Sequence, residues 1–452
     1  MPRRSKSPLL AVGCGVVVLA LLSIVALLAI GVTAEKAKLI EPKKVAAAVR
    51  FCGSNTIAAE LGPALVEEFL RSRGAGDVRR ESDTTELQVS GSLPGESERF
   101  LVAVRGAGTG TAFQDLNAGK CDIAMASRAA TDDERRSLGA GLSEHVLGLD
   151  GIAVIVHPSN RLSALDTAQL AAVFTGRISS FAAVGGGAGP IELVSYDEKS
   201  GTYDTFRGLV LGSDALSASA KRFASSSDVL AAVSGNPSAI GFTSLSAARG
   251  VKVLSIAEPG MQPLSPSAWT IARESYALTR RLYLYTHAQR TRPAADALVA
   301  FALSAPGQSV VSRVGFVDLT VKAEAVAGCA GCPAPYVQAV RSAQRLSVDF
   351  RFQSGSSELD SRAARDVERV VEFAKSSAGA RLQLLGFADA RGAAALNQRL
   401  SLERAEQVKQ ELGRRGLGDV ITRGMGSVMP LASNDTELGR QKNRRVEVWL
   451  KN

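Results

Sequence analysis

Short apolar runs alternate with amphipathic segments from Ala46 to about Val321. Val49–Cys52, Phe100–Val104, Cys121–Ala126, Ile152–Val156, Ile191–Ser195 and Ala239–Phe242 read as strands. Ile57, Leu61, Leu65 and Phe69 stand one turn apart and predict a helix over Ile57–Leu70, and Thr167–Phe174 predicts another. Strands alternating with helices point to open α/β sheets, and a stretch this long points to two lobes. Ser72–Ser97 is polar and Gly/Ser-rich, and its pattern assigns no element.

A second pattern begins near Leu346. Leu346–Phe352 alternates apolar and polar residues, as a half-buried strand does. Ala363, Val367, Val370 and Ala374 keep helical spacing within Leu359–Ala374. A strand at Leu382–Phe387, a helix at Leu396–Leu412 and a closing strand at Arg445–Leu450 complete an α+β unit. The Gly/Ala/Pro-rich text from Lys322 to Pro335 separates it from the first.

The amino-terminal text is different again. Arg3, Arg4 and Lys6 precede an uncharged run from Ser7 to Ala34. As a helix, Pro8 to Val32 spans roughly 37 Å, enough for a bilayer core and longer than a signal-peptide core needs. The positive flank predicts a cytoplasmic start and an exported remainder. The reading is an uncleaved signal-anchor, with cleavage after Val32-Thr33-Ala34 as the competitor. Export would place Cys52, Cys121, Cys329 and Cys332 in an oxidising compartment, where four cysteines allow three pairings. A local Cys329–Cys332 bridge is the first choice, and Cys52 with Cys121 would join neighbouring strands.

Composition narrows the function. The chain has 452 residues, 46% of them hydrophobic and 21% charged, which excludes wholesale disorder. The net charge of +9 is spread along the chain with no polybasic block, and aromatics are only 5%, so no nucleic-acid partner is expected. His145, His157 and His287 lie too far apart in sequence for a close-spaced metal motif. No metal, cofactor or activated nucleophile is read, and no enzyme is expected; an enzymatic reading with Ser200 as a phosphatase-type nucleophile lacks a metal cluster.

Three places share one design: an apolar strand, then Gly with Ser or Thr, then a helix start. They are Gly53-Ser54-Asn55-Thr56, Gly106-Ala107-Gly108-Thr109-Gly110-Thr111 and Ser200-Gly201-Thr202. A helix start leaves N–H groups unpaired and carries partial positive charge, and glycine lets an anion approach them. The competing reading is three ordinary helix caps.

These segments, with Cys121–Arg128, Asp150–Val154, Leu165–Leu170, Val173–Arg177 and their order, resemble the PstS-type periplasmic phosphate-binding proteins. The resemblance implies a two-lobed periplasmic-binding fold that closes on a tetrahedral oxyanion. By motif position it assigns the anion to Thr56, the backbone at Ile57, Thr109, Ser200, Gly201 and Thr202. Two departures stand out. Arg128 occupies the place of an Asp that accepts the phosphate proton, and Tyr196 occupies the place of an Arg. Arg128 is expected to supply a bidentate contact, and loss of the carboxylate to weaken discrimination against sulfate. The competing role for Arg128 is a salt bridge.

In the second unit Asp389 closes a strand and Arg404 lies on the next helix, one turn from Leu400 and Val408, beside the buried stripe. A fixed carboxylate and guanidinium suit a zwitterionic ligand. Gly386–Gly392, Asn397–Ala405 and Asn443–Val446 make this unit resemble the OmpA-like peptidoglycan-binding domains. The resemblance implies that Asp389 holds the ammonium of the diaminopimelate stem and Arg404 its carboxylate. Ala388 stands where the family usually has Thr. The alternative is an internal Asp389–Arg404 salt bridge.

The expected organisation is a signal-anchor helix over 1–34, a linker over 35–47, an α/β two-lobed oxyanion-binding domain over 48–325, a linker with the CxxC over 326–344 and an α+β OmpA-like domain over 345–452. The expected place is the inner membrane of a Gram-negative envelope, single-pass, with the bulk in the periplasm. The expected partners are inorganic phosphate or a similar oxyanion, peptidoglycan and an ABC permease. Uptake or sensing is the first reading, and a wall-to-membrane tether with another ligand or none is the alternative.

Overall fold

The computed structural model describes residues 48–82, 86–198, 200–290, 292–326, 331–352, 358–377 and 381–451. The expected membrane segment 1–34, its linker 35–47 and Cys329 lie outside them. Among the described residues no single helix is long and apolar enough to cross a membrane.

Val49–Gly53 pairs in parallel with Arg99–Gly106 on one side and Ile123–Ala126 on the other. Parallel neighbours need crossovers, and helices on both faces supply them. Val49 and Phe51 point to the helix Gly62–Ser72, against Leu65 and Phe69. Cys52 points the other way, to Phe113 and Leu116 of the helix Thr109–Asn117. Cys52 is bonded to Cys121, which precedes the adjacent strand. Cys332 is also disulfide-bonded. The unassigned stretch Ser72–Ser97 forms two antiparallel strands, Arg79–Ser82 and Leu87–Ser92, on the sheet edge. The outer one is exposed at every residue, so no hydrophobic period marks it.

The expected strand Ile152–Val156 is the end of a longer one, Leu142–Val156, which creates the lobes together with Thr279–His287, a strand the apolar pattern did not isolate. Leu142–Val156 pairs over residues 142–151 with Thr279–His287 and over 152–156 with Ala239–Ser244. One strand therefore belongs to two sheets. The first lobe lies on one side of this crossing. The second holds Ala239–Ser244, Glu192–Tyr196 and Lys221–Phe223, packed around Phe174, Phe206 and Phe242. The rings of Phe206 and Phe242 stack at 3.9 Å.

The crossing carries a buried ion pair. Asp150 and Arg280 are register partners, 4% and 7% exposed. Arg280 donates from Nε and Nη2 to Asp150 Oδ2 at 3.1 and 2.8 Å.

The C-terminal unit has a five-stranded sheet in the order Ala323–Ala325, Ala343–Arg351, Arg445–Lys451, Arg381–Gly386, Val420–Gly424. Helices Ser361–Ser376 and Ala394–Arg414 cover one face through Val367, Val370, Ala405 and Val408. Ala334–Val340, inside the stretch read as a linker, is a short helix; its Tyr336 and Ala339 bury the other face with Phe387 and Trp449. Ala323–Ala325, read as the tail of the first domain, pairs with Ala343–Arg351 in this sheet. The Pro- and Ala-rich text hides both elements because each is too short to show a period.

The helix Ser361–Ser376 lies along Leu142–Val156, and there Arg365 Nη2 donates to His145 Nδ1 at 3.1 Å. An arginine only donates, so His145 is neutral and its Nε2–H faces Thr286 Oγ1 at 3.3 Å. Burial, then Arg365, lowers the His145 pKa to about 4 against the pull of Asp296 and Glu144.

Two outcomes follow from these buried groups. Arg280→Leu leaves the Asp150 carboxylate buried without its partner and is expected to cost about 3–5 kcal/mol in urea denaturation. The unfolded chain protonates His145 near its ordinary value of 6.5 and the folded chain near 4. The stabilisation is therefore complete above about pH 6.5 and lost as pH falls towards 4. Between pH 7 and 4 the native chain is expected to lose on the order of 2–3 kcal/mol more stability than His145→Gln.

Candidate functional site

Gly53 ends its strand at φ 125°, and a Cβ there would lie 2.3 Å from the Met125 carbonyl oxygen. Only glycine lets the chain turn so closely past its neighbour. The helix then starts on the Ser54 carbonyl, which accepts from the Ala58 N–H at 2.9 Å. The Ser54 hydroxyl is buried, with the residue 1% exposed, and makes no hydrogen bond. An ordinary cap would have used that hydroxyl.

The second helix start is capped by Gly108, which has no side chain to offer. Thr109 Oγ1 accepts from the Ser127 N–H at 3.1 Å and lies 3.1 Å from the Ser127 hydroxyl. At the third, Ser200 Oγ accepts from the Thr202 N–H at 3.2 Å, so here the ordinary cap exists. The three starts converge on one cavity of about 460 Å³, lined by Ser54, Thr109, Ser127, Ser200 and Gly201 and by the backbone at 107–110. The exposed Glu198 and Asp204 also line it.

The lobes meet beside this cavity. A Cβ on Gly201 would lie 2.1 Å from Thr56 Oγ1. Arg280 reaches both sides: Nη2 donates to Thr56 Oγ1 at 3.0 Å and Nη1 to the Gly201 carbonyl at 3.3 Å. The hinge pair thus also ties together two of the strand-to-helix turns.

The structure brings Thr109, Ser200 and Gly201 to the cavity wall. Thr56 faces Arg280 instead, Ile57 has its side chain in the core, and Thr202 stands behind its cap bond. Arg128 is outside the wall. It donates to both oxygens of Glu134 at 2.7 and 2.8 Å and sits over the Phe113 ring at 5.6 Å. That hydrogen bonding to Glu134 is also the chief reason its pKa is raised. The salt-bridge reading describes this side chain, because Glu134, six residues on in the first turn of the helix Asp132–Leu138, holds the guanidinium with both oxygens. Ser54 and Ser127 were within reach of the sequence, inside or beside the motifs. Arg280 was not, since only register across the sheet brings it to Thr56.

In the C-terminal unit Asp389 and Arg404 do not pair with each other. Asp389 Oδ1 accepts from the Arg391 N–H at 3.0 Å, and Oδ2 accepts from Arg444 Nη1 at 3.1 Å. Arg404 donates to the Phe387 carbonyl at 3.2 Å and lies over the Phe352 ring at 5.9 Å. Burial, then the neighbouring Arg444, lowers its pKa. Asn443 holds the adjacent loop, accepting from the Leu431 and Ala432 N–H groups at 2.7 and 3.0 Å. The Asn-Arg-Arg run therefore supports the rim, and Arg444 reaches the site carboxylate.

Comparison with known proteins agrees with this division. Residues 88–306 match the PBP superfamily domain and residues 351–444 the OmpA family. The phosphate-binding protein PstS of Staphylococcus aureus is 29% identical over 191 residues, 40% of this chain. That match spans 58% of the relative's own length. An ABC-type phosphate transport receptor from Vibrio cholerae is 24% identical, with 60% of this chain and 99% of that one covered at a TM-score of 0.49. The peptidoglycan-associated lipoprotein of Burkholderia pseudomallei is 23% identical over 23% of this chain and 89% of its own, at a TM-score of 0.22. One chain thus carries a region that matches the PBP superfamily domain and is similar to PstS, followed by a C-terminal region that matches the OmpA family.

Proposed function

We propose that this protein captures inorganic phosphate or a similar oxyanion between its lobes and holds peptidoglycan with its C-terminal domain in the cell envelope. The observation that carries the first half is the convergence of three helix starts on one cavity, with the Ser54 hydroxyl buried and unpaired. Unpaired N–H groups and hydroxyls form a seat for a small anion. We assign the anion to Thr109, Ser200 and Gly201 together with Ser54 and Ser127; Thr56 joins through Arg280, and Ile57, Thr202 and Arg128, which do not line the cavity, are left out of the assignment. The role we assign to the cavity is binding, in line with the printed name of the PstS relative.

The carboxylates of Glu198 and Asp204 oppose a fully ionised anion and accept a hydrogen bond from one that keeps a proton. They stand in for the carboxylate acceptor that the position of Arg128 lacks, so discrimination against sulfate is restored and phosphate is expected to bind better than sulfate. The same carboxylates, with no cationic side chain on the wall among the described residues, also support the second reading, a tether whose first domain takes another ligand or none. The finer picture combines an amino-terminal inner-membrane anchor, a periplasmic body and service to an ABC permease or a sensor. It rests on the apolar run Ser7–Ala34 and on the relatives' printed roles.

For the second half, Asp389 and Arg404 present unlike charges that are not spent on each other. That suits the ammonium and carboxylate of a diaminopimelate stem.

Calorimetry with phosphate is expected to show binding, with sulfate at least about tenfold weaker, a difference of ~1.4 kcal/mol. Gly201→Ala, which drives a methyl into Thr56, is expected to weaken phosphate at least about tenfold. Absence of heat with every oxyanion would leave the tether. On purified sacculi the native chain is expected to sediment, and Asp389→Ala and Arg404→Ala to remain in solution; sedimentation of both variants would refute the grip.

A further inference from the structure

The C-terminal unit touches both lobes of the first. On the first lobe, Ser361 donates to Glu144 and Arg365 to His145, both on Leu142–Val156 before the crossing. On the second, Lys442 Nζ pairs with Glu258 Oε1 at 2.8 Å. Two more bonds reach the chain beside the crossing. Arg362 Nη2 donates to the Ala272 carbonyl at 2.6 Å, and Arg351 Nη2 to the Arg273 carbonyl at 3.0 Å. Ala272 ends the helix Ala268–Ala272, whose Ile271 leaves no room for a Cβ on Gly151.

Between these attachments sits Glu274. It accepts from Arg281 of its own unit and from Arg351 Nε at 3.0 Å, and Arg362 Nη1 stands 3.3 Å away. Arg281 also pairs with Asp360 at 2.8 Å. Burial alone would push the Glu274 carboxyl up, but Arg281, Arg362 and Arg351 outweigh it and hold the group well below the usual carboxylate range. Arg281 follows Arg280 directly, and successive strand residues face opposite ways. One strand therefore presents Arg280 to the cavity hinge and Arg281 to the docked domain.

Two lobes that swing about 150–151 and 279–280 cannot both remain fixed to a rigid body that spans the swing. We propose that the C-terminal domain is a brace across the hinge: docked, it holds the lobes at one angle, and exchange of the captured anion requires the dock to release one lobe. Only the exchange step rests on the anion reading; the restraint on the lobes does not.

Spin labels at Arg136→Cys and Lys221→Cys, exposed on the first and second lobes, report the interlobe distance in the full chain. The labelled native chain is expected to give one narrow distance with or without inorganic phosphate. Lys442→Ala with Arg365→Ala cuts one side-chain link to each lobe while sparing the Glu274 cluster. It is expected to broaden the phosphate-free distribution, and phosphate to narrow it again. Glu274→Gln is a second variant with the same expected direction, and its circular dichroism separates a loosened dock from an unfolded chain. Equal phosphate-free distributions in native and Lys442→Ala/Arg365→Ala chains would overturn the brace, as would a native chain that already shifts with phosphate. A broadened variant that ignores phosphate would keep the brace and remove the anion reading instead.

Discussion

A guanidinium buried where one strand passes from the first lobe to the second is the constraint on which the rest depends. Arg280 is almost wholly removed from water, and Asp150 is the carboxylate that makes its burial tolerable. The remaining donors of the same group reach Thr56 on the first lobe and the Gly201 carbonyl on the second. The pair neutralises itself, so it positions the turns without lending its charge to the cavity. What an anion meets there is hydroxyls and the N–H ends of helices, with carboxylates at the exposed margin.

The two domains use charge in opposite ways. In the lobed domain the proposed anion seat is built mainly from backbone ends and hydroxyls, which suit a small ligand approached from several directions. In the C-terminal domain Asp389 and Arg404 are kept apart by other partners, Arg444 for the acid and the Phe387 carbonyl for the base. A pair closed on itself would offer a zwitterion nothing. Arg444 also binds Glu437, so the rim of that site is held by a chain of ion pairs.

Where the domains meet, the interface is ionic and buried around Glu274. Such a contact is geometrically demanding, because each arginine must find an acceptor once water is gone. It therefore fixes orientation more sharply than an apolar face of the same size. It sits on Thr279–His287, the strand that also carries Arg280 at the crossing between the lobes.

The periodic elements were legible in the sequence: the parallel strands of the first lobe, the site helices, and the three longest strands and two long helices of the OmpA-like unit, but not its strand Val420–Gly424 or its short helix Glu437–Asn443. Their side-chain periods of two and 3.6 are local properties. The glycine-and-hydroxyl turns were legible for the same reason, and Ser54, Thr109, Ser200 and Gly201 all fall within them. The exposed strand Arg79–Ser82 and the short elements Ala323–Ala325 and Ala334–Val340 were not, since an edge without an apolar face, or an element of one or two turns, leaves no period. Arg128 looked like an anion ligand because its neighbours matched a motif. Only the fold shows Glu134 beside it, only cross-strand register joins Asp150 to Arg280, and only the packing of the two domains joins Arg281 to Asp360. Local chemistry was thus written residue by residue, while the pairing of charges far apart in the chain was decided by burial, which leaves a charge no choice but the partner that packing delivers.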